Sequence, residues 1–168
     1  NEWNRSVADH FKDSKAIMGW IVGNESGYLG LWSGLLDGYD DECEAAFRVW
    51  CEQKYGTIAA CNAAWGKDFA SFSDIVFVDE YRAYGSDGAE WADMVQWRED
   101  SIAHFTAVGA GGAAQGSTNH LISYSTVGMQ WGEEDWRYHA EDRGKITAVC
   151  AQSNAPIGFF SVNNYPWS

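Results

Sequence analysis

The sequence predicts an α/β fold made of parallel βα units, because helical and strand patterns alternate along its 168 residues. Three short apolar stretches, 16–25, 120–128 and 157–167, have the composition of strands. The longer segments between them repeat apolar residues at helical spacing. The length is sufficient for one domain with a sizeable core, so we expect residues 1–168 to form a single domain.

The first strand is predicted at "AIMGWIVGNE", which is apolar on both faces, as strands buried in covered parallel sheets are. Residues 5–15, which precede it, have the pattern of the end of a helix, with Val7 and Phe11 one turn apart. Residues 26–39, which follow it, combine glycine with aromatic residues and are predicted to form a long loop.

Two helices are predicted next. Asp41 begins the first of them, with Glu44 in the capping-box position three residues later, and Gly56 ends it. Thr57 is predicted to cap a second, shorter helix that continues to Trp65.

A long helix is predicted to begin at the capping pair formed by Asp87 and Glu90. The segment "GAGGAAQGS", residues 109–117, is predicted to end this helix as a flexible loop. It is not interpreted as a dinucleotide-binding fingerprint, because that motif needs a preceding strand and here a helix precedes it. The second strand follows, and residues 135–154 are predicted to be mostly helical up to Pro156, after which the third strand begins.

Composition excludes several classes of partner. A net charge of -13 repels the phosphates of nucleic acids, so no nucleic-acid partner is expected. No apolar run is long enough to span a bilayer, so no membrane partner is expected. The four cysteines form no CxxC pair and no histidine lies at zinc-ligand spacing, so neither a metal nor a cofactor is predicted. The chain begins without Met or a signal peptide, so we expect either processing or a longer parent sequence.

The candidate site consists of polar and aromatic side chains at the ends of the three strands, because parallel βα folds bind ligands there. Asn24 and Glu25 end the first strand, and Asn163 ends the third. A carboxylate at a strand end suits proton transfer, and the adjacent amide suits binding of a substrate hydroxyl. The alternative is that Glu25 caps the next segment or lies in solvent. The other side chains at these ends are Ser125, Thr126, Gln130, Trp131, Asn164, Tyr165 and Trp167.

The sequence contains ten Trp residues, and two interpretations of them stay open. Trp side chains fill cores, and they also stack on flat ligands such as sugar rings.

Three segments resemble a known family. "GWIVGNE" resembles the fourth strand of clan-A glycoside hydrolases, which are retaining enzymes built on an eight-stranded βα barrel. "AAFRVWCEQKYGTIAACNAAWGKDF", residues 45–69, resembles a long segment that follows this strand in family-42 β-galactosidases, and "WREDSIAHF", residues 97–105, is similar to their next helix. The resemblance implies a portion of a (β/α)8 TIM barrel, strands four to six, in a retaining hydrolase of β-linked galactosides or related saccharides.

The resemblance also implies roles for single residues. Glu25 is the expected general acid/base, and Asn24 is expected to hold the sugar 2-hydroxyl. Tyr165 is expected to approach the catalytic nucleophile. The remaining substrate-binding candidates are Asn163, Trp32, Trp131 and Trp167.

Cys51 and Cys61 replace two Leu residues of the family pattern, and this paired replacement suggests a disulfide between them. A bridge would imply an oxidising compartment, so a secreted or periplasmic location is expected. The alternative is two buried free thiols.

Length sets the largest departure from the family, because a full barrel takes about 250 residues. No strand here corresponds to the seventh, which carries the nucleophile in the clan. We therefore expect a fragment that other barrel segments or another chain complete, and that is inactive in isolation. The alternatives are a non-catalytic carbohydrate-binding module, which the helical pattern disfavours, or a partner-completed fragment whose role is assembly.

Overall fold

A computed structural model describes residues 1–26, 38–77, 88–127 and 141–163. The chain divides into two compact units. The first contains residues 1–27 and 99–168, and the second contains residues 28–98. The single domain that was expected from length stays a prediction.

The first unit is built on a parallel sheet of three strands, in the order β1-β2-β3: β1 (Gly19–Asn24), β2 (Leu121–Val127) and β3 (Phe159–Asn163). All three predicted strands are thus confirmed, and so is their parallel pairing. Because the strands are parallel, their carboxyl ends lie at one edge of the sheet, where the candidate site was expected.

The helices of the first unit are α1 (Glu2–His10), the second part of α4 (Ala89–Gly116) and α5 (Arg143–Gln152). α1 ends earlier than predicted, at His10, and the exposed Phe11 is its C-cap. Ile146 and Cys150 of α5 are fully buried. The core on one face of β2 consists of the buried side chains Ile122, Tyr124 and Thr126.

The predicted loop at residues 109–117 is wrong, because α4 continues through this glycine-rich segment to Gly116. The glycines allow α1 to approach α4 closely. A Cβ atom on Gly112 would lie 2.4 Å from the backbone oxygen of Asn1, and one on Gly116 would lie 2.3 Å from that of Arg5. Glycine lowers the stability of a helix interior, but here it allows the backbones of α1 and α4 to pack closely.

The second unit contains α2 (Asp41–Tyr55), α3 (Ile58–Trp65), a 3₁₀ turn (Phe72–Asp74) and the first residues of α4. Gly56 and Gly66 end α2 and α3, and the Thr57 side chain caps α3 by accepting from the Ala60 N–H.

The capping box predicted for α2 is wrong by one residue. Asp40 is the N-cap, and its carboxylate accepts from the Cys43 N–H at 2.8 Å. Glu44 instead pairs with Arg48 and accepts from the Phe77 N–H at 3.2 Å. The Asp87–Glu90 pair predicted for α4 lies partly outside the described residues, as does the start of the predicted helix at 135–154.

Several Trp residues fill the core of the second unit. Phe47 is fully buried, with ring centroids 6.2 Å from Trp65, 5.7 Å from Trp97 and 5.3 Å from Phe77. Trp91 is also buried. For these Trp residues the core interpretation is correct.

A buried carboxylate ties the helices of the second unit together. Asp93 of α4 accepts from Lys54 Nζ at 2.7 Å, from the Tyr55 hydroxyl and from Trp65 Nε1 at 2.9 Å. Its side chain is 9% exposed, so three donors compensate the loss of its hydration.

The predicted disulfide is wrong, because Cys51 and Cys61 are both free thiols. Both are fully buried, and they pack as small apolar side chains. Burial raises the pKa of the Cys51 thiol to about 12 and that of Cys61 to about 11. The secreted or periplasmic location that was linked to this bridge stays a prediction without that support.

Within the described ranges, no helix combines the length and the apolar character needed to cross a bilayer. The same residues contain no group of three or more His, Cys, Asp or Glu side chains that could hold a metal ion.

Candidate active site

An irregularity in β1 determines which way Asn24 faces. Ile21 pairs with Ser123 and Asn24 pairs with Ser125. Between these two pairs β1 advances by three residues while β2 advances by two, so β1 contains one extra residue. Side chains alternate between the two faces of a regular strand, and the extra residue reverses this alternation. Asn24 therefore shares a face with Ser125. Without the irregularity it would lie on the face of Trp20.

Glu25 follows β1 with a left-handed backbone, at φ 50°. This conformation costs a non-glycine residue about 1–2 kcal/mol. The Glu25 N–H donates to the Ser125 carbonyl at 2.9 Å, which extends the pairing of the strands by one bond. The side chain is half-buried, so it is held by the fold and also reaches solvent.

Asn163, at the end of β3, connects the two residues that end β1. Its Nδ2 donates to Glu25 Oε1 at 2.6 Å and to Asn24 Oδ1 at 3.0 Å. Its Oδ1 accepts from the Ser125 hydroxyl at 3.0 Å. The Ser125 bond fixes the orientation of the Asn163 amide, because it assigns the oxygen to one side and the nitrogen to the other.

This arrangement also orients Asn24. Since Asn24 Oδ1 accepts from Asn163, the donating Nδ2 of Asn24 lies on the opposite side of its own amide. The pair at the end of β1 thus presents an amide donor beside a carboxylate. That combination can bind a hydroxyl oxygen and exchange a proton with a neighbouring atom.

A second set of contacts lies on the C-terminal side of Glu25. The Tyr124 hydroxyl accepts from the Ser26 N–H at 3.1 Å, and it lies 3.2 Å from the Ser26 carbonyl oxygen and 2.8 Å from Glu141 Oε1. Tyr124 is fully buried, and burial raises the pKa of its hydroxyl above the usual value.

Thr126 does not join the site. It follows Ser125 in β2 and therefore lies on the opposite face of the sheet. There its hydroxyl accepts from Arg143 Nη2 at 3.0 Å and donates to the Ser161 carbonyl at 3.3 Å.

Four of the polar residues predicted at the strand ends, Asn24, Glu25, Ser125 and Asn163, lie together in the structure. Asn163 is hydrogen-bonded directly to each of the other three, whereas the sequence predicted only that it binds the substrate. Apart from Thr126, the remaining predicted residues lie outside the described residues: Trp32, Gln130, Trp131, Asn164, Tyr165 and Trp167.

Sequence reasoning missed Tyr124 and Glu141. Tyr124 lies in the middle of an apolar strand and has the sequence pattern of a core residue. Its ring is indeed part of the core. The available signal was its position directly before Ser125, which places its hydroxyl near the end of the strand.

Comparison with known proteins agrees with the resemblance. A family model described as beta-galactosidase, of glycoside hydrolase family 42, matches residues 1–103. A beta-galactosidase from Arthrobacter sp is 45% identical over 67 residues, which are 40% of this chain and 9% of that protein. A thermophilic beta-amylase from Thermoanaerobacterium thermosulfurigenes is 32% identical over 131 residues, which cover 62% of this chain and 24% of that protein.

The fold is similar to that of solved glycosidases. The crystal structure of a beta-galactosidase from the psychrophilic Marinomonas ef1 matches with a TM-score of 0.69 at 22% identity. The match covers 97% of this chain and 23% of that one. The chain thus spans less than a quarter of the length of each of these three proteins.

Proposed function

Because the chain belongs to the beta-galactosidases of glycoside hydrolase family 42, we propose that it forms part of a retaining hydrolase of β-linked galactosides. In this proposal the sheet provides strands four to six of a (β/α)8 barrel. Its support is the parallel order β1-β2-β3 and the similarity in fold to a solved beta-galactosidase. The observation that carries the proposal is the meeting of Asn24, Glu25 and Asn163 at the carboxyl edge of the sheet.

Glu25 is the general acid/base in this proposal. Its Oε1 accepts from Asn163, so the proton for the leaving group is carried on Oε2. Glu25 gives this proton to the glycosidic oxygen as the nucleophilic carboxylate bonds to the anomeric carbon. The glycosidic bond breaks, the leaving group departs as a neutral alcohol, and the sugar stays on the nucleophile as a covalent intermediate until water displaces it. In the second step the same carboxylate takes a proton from the attacking water.

Asn24 binds the sugar beside the reacting bond. Its Nδ2 faces away from Asn163 and can donate to a sugar hydroxyl oxygen, which the resemblance identifies as the 2-hydroxyl. A hydrogen bond at this hydroxyl strengthens as charge develops on the ring in the transition state.

The nucleophile lies outside this chain in the proposal. A retaining mechanism needs a second carboxyl group about 5 Å from Glu25. A further barrel segment or another chain would supply it. Tyr165 would then hydrogen-bond the nucleophile, and Trp32, Trp131 and Trp167 would stack on sugar rings.

The substitution Glu25→Gln tests the assigned role in the complete protein that contains these residues. We expect turnover of alkyl galactosides, which have poor leaving groups, to fall about 10²–10⁴-fold. Hydrolysis of an activated aryl galactoside should fall far less in kcat/KM, because that leaving group needs no proton. The matched control is Glu42→Gln, the same change at an exposed position of α2. Unchanged turnover of alkyl galactosides by Glu25→Gln would overturn the proposal.

A further inference from the structure

We propose that Tyr124 is a positioning residue for Glu25, because its buried hydroxyl holds the backbone on the C-terminal side of the acid/base. The inference deepens the proposed function and depends on it. It concerns a side chain that lies on the opposite face of the sheet from Asn163 and acts on Glu25 only through the main chain.

The Glu25 backbone is held from both sides. Its own N–H donates to the Ser125 carbonyl at 2.9 Å, and the next N–H, that of Ser26, donates to the Tyr124 hydroxyl at 3.1 Å. Between these two bonds the chain adopts φ 50° at Glu25, a conformation that is unfavourable for a residue with a side chain. Such a conformation persists where the surroundings constrain it, and these two bonds are constraints of that kind.

The direction of the hydroxyl is set by its neighbours. A tyrosine hydroxyl donates one hydrogen and accepts through its lone pairs. The carboxylate oxygen Oε1 of Glu141, at 2.8 Å, is a stronger acceptor than the Ser26 carbonyl at 3.2 Å. The hydrogen therefore points to Glu141, and a lone pair accepts from the Ser26 N–H. Burial raises the pKa of this hydroxyl, so the donor is retained across the neutral range.

The ring of Tyr124 is fixed as tightly as its hydroxyl. A Cβ atom on Gly23 would lie 2.6 Å from Cε2 of the ring, so only glycine at this position lets the ring pass beneath β1. On the other side the ring meets Phe160 edge to face, with centroids 6.4 Å apart. A hydroxyl on a ring held in this way is a rigid support for the turn at Glu25.

A role in positioning differs measurably from a role in stability alone. If the hydroxyl only stabilises the fold, its removal lowers the melting temperature and affects all substrates alike. If it positions the acid/base, its removal impairs proton donation and affects substrates with poor leaving groups most. The dependence of kcat/KM on the pKa of the leaving group separates the two.

The test is Tyr124→Phe in the complete protein, assayed with a series of alkyl and aryl galactosides. We expect kcat/KM to fall about tenfold for the alkyl galactosides, a part of the full effect of general acid catalysis, and less than about twofold for 2,4-dinitrophenyl galactoside. The matched control is Tyr55→Phe, which also removes a hydroxyl bonded to a carboxylate, that of Asp93. Tyr55→Phe should lower the melting temperature without changing how steeply log kcat/KM depends on the pKa of the leaving group.

A parallel loss on all substrates in Tyr124→Phe, or no loss, would overturn the inference. The companion Glu141→Gln, expected to change the slope in the same direction by a smaller amount, gives the answer if Tyr124→Phe does not fold. Failure of the proposed function looks different, because then Glu25→Gln itself leaves the slope unchanged.

Discussion

Asn163 provides the most direct test of how the sheet holds the acid/base carboxylate. The substitution Asn163→Ala removes the 2.6 Å bond to Glu25 Oε1, the 3.0 Å bond to Asn24 and the acceptor for the Ser125 hydroxyl. A hydrogen bond to a charged group contributes about 1.5–3 kcal/mol. Because Glu25 is only half-buried, water replaces part of this interaction, and we take about 1.5–2 kcal/mol. With 1.36 kcal/mol per factor of ten, kcat/KM for alkyl galactosides should fall about 10- to 30-fold.

The assay compares initial rates of the purified complete protein and its variant on an alkyl and a dinitrophenyl galactoside. The control is Ser125→Ala, which removes only the bond that orients the Asn163 amide. This bond joins two neutral groups, so a loss of about 0.5–1.5 kcal/mol is expected, with the same preference for the alkyl substrate. A loss below threefold in Asn163→Ala, with an unchanged melting temperature, would refute the reasoning.

The second unit yields two stability predictions. Asp93→Ala leaves the Tyr55 hydroxyl and the buried Trp65 N–H without their acceptor, while the exposed Lys54 keeps its bond to Gln96. We therefore expect a loss of about 1–3 kcal/mol in the free energy of unfolding, measured by urea denaturation, and a loss below about 0.5 kcal/mol would contradict this. Burial raises the pKa of the Cys51 and Cys61 thiols from 9.0, so these thiols ionise at a lower pH in the unfolded chain than in the folded one. The stability that they contribute is therefore complete below pH 9 and should decline as the pH rises towards 11. The double variant Cys51→Val, Cys61→Val should show a weaker decline in melting temperature over this pH range. An equal decline would contradict the attribution of the pH dependence to these two thiols.

The alternation of apolar stretches was sufficient to predict the parallel sheet, because buried strands and amphipathic helices have different periods. It was not sufficient for the glycine-rich end of α4. Glycines are the usual signal of a loop, and only the packed fold shows that Gly112 and Gly116 make room for the backbone of α1. The disulfide failed for a related reason. Two cysteines replacing two leucines also fit two buried apolar positions, and Cys51 and Cys61 are both buried as free thiols.

The site was predictable at the level of strand ends and not at the level of contacts. Asn24, Glu25 and Asn163 follow apolar runs, which is visible in the sequence. The irregularity between Ile21 and Asn24 is not visible there, although it decides which face Asn24 occupies. The support from Tyr124 was also hidden, because a tyrosine in the middle of a strand has the pattern of a core residue until its hydroxyl is placed.

The measurement that tests the central role of Glu25 most directly is rescue by azide. In Glu25→Ala of the complete protein, a dinitrophenyl galactoside still forms the covalent intermediate, but water attacks it slowly because the general base is gone. Azide needs no general base and attacks the same carbon, displacing the enzyme carboxylate. We predict that azide accelerates turnover and that the product is β-galactosyl azide, with the configuration of the substrate. Turnover of the variant at the unaltered rate, with no response to azide and free galactose as the product, would contradict the role assigned to Glu25.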